Sequence, residues 1–106
     1  MNKINCLIIE GNMSEISRQK KGEISVATLK LCVTRTIGNP KKTEHYYFDI
    51  ECYGKLAESC ESQFEKEREV RVVGRLSQSS SLGSDGKSHL RTFIIAEHIE
   101  FKPRKN

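Results

Sequence analysis

Short runs in which apolar, β-branched and aromatic side chains alternate with polar ones recur along the chain, separated by Gly, Asn, Ser and Lys. Alternation of period two marks a strand with one buried face, and runs at this spacing mark a small all-β protein. Five strands are predicted, at 4–10, 24–36, 45–53, 69–76 and 89–101. Gly11-Asn12 is expected to end the first, Gly22 to open the second, and Ala96-Glu97-His98 to mark a bulge in the fifth. One segment has another period. Across 55–66, Leu56, Cys60 and Phe64 recur every four residues with Glu58, Glu61 and Glu65 between them, which predicts an amphipathic helix hinged at Gly54. The order β-β-β-α-β-β predicts an all-β, five-stranded Greek-key barrel with one α-helix between strands three and four, the OB-fold arrangement. An SH3-like barrel and a small α+β sheet are the alternatives.

The connections carry their own signals. The loop 37–44 contains Gly38, Asn39 and Pro40, with Lys41 and Lys42 at its tip. The Ser- and Gly-rich stretch 77–88, with the turn signal Asp85-Gly86, is read as a mobile loop. The basic tail 102–106 is too short to fold, which leaves 1–101 as the domain.

Composition narrows the function. At 106 residues, 36% hydrophobic and 30% charged, the chain has material for one core. No apolar run approaches the ~20 residues of a membrane helix, and Cys6-Leu7-Ile8-Ile9 is too short for a signal peptide, so a cytoplasmic protein is expected. The net charge is +4, but residues 55–69 hold five Glu against Lys55, Lys66 and Arg68, so the basic excess lies elsewhere. Cys6, Cys32, Cys52 and Cys60 form no Cys-x-x-Cys pair, and no His stands at zinc-finger spacing. Buried, reduced thiols are expected, with no metal; a zinc or thiol protein is the alternative. His45, His89 and His98 are isolated at strand edges and no phosphate-cradling GxxxxGK[ST] loop exists, so neither catalysis nor a cofactor is expected.

The third strand carries the chemistry. Alternation places Tyr46, Phe48, Ile50 and Cys52 on a core face, and His45, Tyr47, Asp49, Glu51 and Tyr53 on an outer one. Exposed rings offer platforms on which unpaired bases stack; packing under loops or at a subunit interface is the competing use of such tyrosines. The fourth strand turns Arg71 and Arg75 outward, and Arg35, Lys41, Lys42, Lys87 and Arg91 extend this into a path for phosphates.

Ile8-Ile-Glu-Gly-Asn12, Tyr53-Gly-Lys-Leu-Ala-Glu58 and Val70-Arg-Val-Val-Gly-Arg-Leu76 resemble, in residues and spacing, the bacterial single-stranded DNA-binding proteins. The resemblance implies an OB-fold, a homotetramer or else a dimer, a nucleoid-associated location, and sequence-tolerant single-stranded DNA binding in replication, recombination and repair. It implies that Tyr53 stacks on DNA and that Tyr47 replaces a stacking tryptophan, with Lys55 beside them in the junction motif. Ile37 and Ser81 stand where two further family tryptophans are common. Asp49 and Glu51, between the tyrosines, are expected to repel phosphate and to weaken binding or shift its path toward Arg71, Arg75 and the loops. The chain stops at Lys-Pro-Arg-Lys-Asn, without the family's acidic-aromatic tail tip, so tail-mediated recruitment of replication proteins is not expected. A primosomal replication accessory protein is the nearest alternative, followed by an OB-fold protein-interaction or oligosaccharide-binding module.

Overall fold

A computed structural model of the protein describes residues 2–104. The strands β1 (Leu7–Lys21), β2 (Ile24–Ile37), β3 (Lys42–Tyr53), β4 (Glu69–Leu82) and β5 (Ser88–Phe101) close a barrel in the order β1-β2-β3-β5-β4, with helix α1 (Lys55–Gln63) between β3 and β4. All pairings are antiparallel except β3 with β5, which meet in parallel only at Ile50–Ile94 and Glu51–Ile95. The expected OB-fold order is the observed one.

Alternation fills the barrel. Leu29, Leu31, Ile50, Val70, Val72 and Ile94 point inward and are buried. The helix packs against β2, β3 and β5, burying Ala57 and Cys60, with Leu56 and Phe64 packed against the same cluster. It ends three residues earlier than its period predicts, because Phe64 turns extended. In β5 the bulge falls where expected: Val73 faces His98 and Gly74 faces Ala96, leaving Glu97 as the extra residue.

Gly11-Asn12 does not end the first strand. β1 pairs with β4 through residue 12 and then with β2 from residue 12 to 21, bending across an irregularity between Met13 and Glu15. At Gly11 a Cβ would stand 2.6 Å from the Cys32 carbonyl oxygen, so the missing side chain lets β1 cross tightly over β2. The Ser-rich stretch is likewise no loop. β4 continues to Leu82 and pairs with β5 from Ser88, and only residues 83–87 turn, with Gly86 at a φ of +79°. The loop at 37–44 shrinks to a turn at 38–41.

Two hairpin arms therefore extend from the barrel, one from β2 and β3, the other from β4 and β5. On the first arm there is no core to enter. Tyr46 and Phe48, expected inside, are each 40% exposed, whereas Ile50 and Cys52 on the same face are buried where the strand reaches the barrel. Two of the four thiols also depart from the expected burial: Cys6 precedes the first paired residue and is exposed, and Cys32 points outward and is half-buried. Lys102 is tied down by its N–H to the Glu69 carbonyl, and Arg104 lies 3.6 Å from Glu65. Lys105 and Asn106 of the expected tail lie outside the described residues. Among the described residues no helix is long and apolar enough to cross a membrane.

Candidate nucleic-acid interface

The outer face of the β2–β3 ladder is a series of cross-strand pairs: Val26 with Tyr53, Thr28 with Glu51, Lys30 with Asp49, and Cys32 with Tyr47. Tyr47 is 58% exposed and Tyr53 36%. Six residues apart on one strand, their backbone positions are separated by about 20 Å, with Asp49 and Glu51 between them.

Those carboxylates are not bare. Arg91 of β5 lies over the Phe93 ring, 4.5 Å from its centroid, and reaches both acids, Nη1 to Glu51 Oε2 at 2.8 Å and Nη2 to Asp49 Oδ2 at 3.2 Å. The Tyr53 hydroxyl donates to the other Glu51 oxygen at 2.5 Å. Burial pushes the Glu51 carboxyl up, but the hydrogen bonds from Tyr53 and Arg91, and the charges of Arg91 and Lys21, outweigh it and hold the group below the ordinary carboxylate range. The same bond to Glu51, with burial, raises the Tyr53 phenol, and both acids raise Arg91. Arg91 together with Lys30, across from Asp49 on β2, balances the two carboxylates, so the ground between the tyrosines is not the bare acidic stretch that the strand alone suggests.

The other residues of the expected path divide into two sets. Arg75 pairs with the bulge residue Glu97 at 3.2 Å, close enough for its charge to be felt at Tyr53. Arg71 is held on the β1–β4–β5 wall by Glu10 at 2.9 Å and Glu100 at 3.5 Å, and does not join the tyrosines. Arg35, Lys41 and Lys42 lie on the β2–β3 arm, Lys87 at the turn of the β4–β5 arm, and Lys55 opens the helix just beyond Tyr53. Among the described residues these five make no ion pair.

The structure adds a feature that alternation could not reveal. Because β3 and β5 pair over only two positions, the arms diverge beyond them and leave a cleft of about 370 Å³, lined by apolar Phe48, Leu76 and Phe93 and by Lys30, Tyr47 and Asp49. Phe48 carried no sequence signal, since its parity assigns it to the core. The histidines stand at polar positions. His45 Nδ1 is 3.5 Å from Thr34 Oγ1, and His89 Nε2 is 3.2 Å from Asp85, whose carboxyl is lowered by the Lys87 backbone N–H and by His89. Among the described residues no group of three or more His, Cys, Asp or Glu is placed to hold a metal.

A closed five-stranded barrel with a covering helix, an aromatic outer face and two flanking arms defines an OB-fold binding protein. The chain belongs to the single-strand binding protein family, which matches residues 4–102. It is 41% identical over 56 residues to the single-stranded DNA-binding protein of Aquifex aeolicus, a match covering 53% of this chain and 37% of that relative. It is 31% identical over 117 residues to single-stranded DNA-binding protein 2 of Chlorobaculum tepidum, covering 100% of this chain and 77% of that one. Among solved structures, the Plasmodium falciparum SSB complex with ssDNA shares the fold at a TM-score of 0.84 and 18% identity, over 97% of this chain and 98% of that one.

Proposed function

We propose that this chain binds single-stranded DNA with little regard to sequence, without catalysis, metal or cofactor, as a homo-oligomer in the cytoplasm that serves replication, recombination and repair. The observation that carries the reading is the Tyr47 ring, exposed beside a cleft between two arms that bear Lys41, Lys42 and Lys87, which make no ion pair among the described residues. A base stacks on Tyr47, the exposed part of Tyr53 supports a second base, and Arg35, Lys41, Lys42, Lys55 and Lys87 neutralise phosphates with release of counterions. Arg75 and Arg91 border the track and tune its charge, while Arg71 belongs to the ion pairs of the barrel wall.

Titration with a dT oligonucleotide at several salt concentrations, following tyrosine fluorescence and mass, tests this. Quenching is expected, with affinity falling at a log–log slope of roughly −0.7 per neutralised phosphate. Tyr47→Ala is expected to cost ~1–3 kcal/mol of binding while the melting temperature holds, because the ring packs little surface. A flat salt response without quenching would overturn the reading.

A further inference from the structure

The cleft between the arms is more than a stacking platform, and its polar groups are specific. Asp49 follows Tyr47 on the same face of β3 at about 7 Å. Arg91 Nη2 occupies its Oδ2 at 3.2 Å, and among the described residues no donor reaches its Oδ1. Lys30 stands directly across from Asp49 on β2 and lines the same cleft, yet the two make no ion pair. Asp49, its carboxylate steadied from one side, and Lys30 thus line an otherwise largely apolar pocket of about 370 Å³, with room for a base lying against Tyr47.

We infer that this cleft is a guanine-preferring subsite, in which the Asp49 carboxylate accepts from the guanine N1–H and N2–H groups and Lys30 donates to O6. The inference rests on the reading of the cleft as part of the strand's track. Guanine alone among the DNA bases presents two adjacent donors beside an acceptor on its Watson–Crick edge. Adenine and cytosine offer one donor on that edge, and the single N3–H of thymine lies between two carbonyl oxygens that repel a carboxylate. Unpaired bases are read on these edges once they are splayed out and stacked. The family trait of sequence tolerance is thereby locally biased by an acid that a purely electrostatic track would exclude.

Three oligonucleotides of equal length test it in lithium buffer, where guanine quadruplexes are disfavoured: dT, a repeat of TTG, and the same repeat with inosine for guanine. The full chain is expected to bind the TTG repeat roughly ten-fold more tightly than dT, within the range of a good bidentate contact. Inosine lacks only the N2 amino group, and should fall back most of the way to dT. In Asp49→Val, checked for folding by its melt, the ratio of TTG to dT affinity should collapse toward one. Equal binding of all three oligonucleotides, full retention with inosine, or an unchanged ratio in Asp49→Val would each overturn the guanine preference alone. Failure to bind any of the three would instead overturn the single-strand reading beneath it.

Discussion

Glu51 faces outward by the parity of its strand, yet the residue is only 8% exposed, enclosed beside Tyr53 and Arg91. A carboxylate so placed is stabilised as the anion only while its donors remain. Its folded pKa lies below the ordinary value of ~4.3, so its contribution to stability is present above that value and is lost as pH falls through the folded pKa. Arg91→Leu removes one donor and leaves burial to push the carboxyl up, so acid destabilisation should begin at higher pH. At pH 7 the cost should be about 1 kcal/mol, at the low end because the Arg91 side chain is 42% exposed and solvent screens the pair. Thermal melts of both proteins from pH 7 to pH 3 check this; superimposable profiles would show that the pairing is idle.

The arms are held by backbone ladders rather than by a core. From residue 78 to residue 91 nearly every side chain is exposed, and Gln78 to Thr92, at 2.9 Å, is a side-chain bond across the arm. This is why the Ser-rich stretch gave no strand signal: with neither face buried, no alternation is needed, and pairing simply continues from the barrel. Replacing residues 79–90 by a two-residue turn should therefore leave the barrel's melting temperature almost unmoved, while the salt slope of DNA binding becomes shallower by about 0.7 for the loss of Lys87. A collapse of stability would mean that the arm supports the core. The helix, by contrast, was legible, because burial of one stripe imposes its period.

Across the whole molecule, cation count and cation availability differ. Of the four arginines expected on the track, Arg71, Arg75 and Arg91 stand in ion pairs, whereas among the described residues Arg35 and, at the arm tip, Lys41 and Lys42 do not. Counterion release registers only charges free to meet phosphate. The double variant Lys41→Gln, Lys42→Gln should accordingly lower the salt slope by roughly 1.4, and Arg71→Gln should leave it in place. Binding isotherms at four or more salt concentrations separate these outcomes; equal effects would mean that the ion pairs on Arg71 open for DNA.

The order and kind of the elements, the covering helix, the bulge in β5 and the pair of outward tyrosines were determined by the sequence itself, because each depends on residues near one another in the chain. Which of those residues share a surface was decided by the tertiary structure. Arg91 and Glu51 are 40 positions apart and meet only because β3 and β5 pair in parallel before diverging. The same divergence opens the cleft and exposes Phe48. Periodicity records which way a side chain points, and only closure of the barrel determines whether anything lies there to cover it.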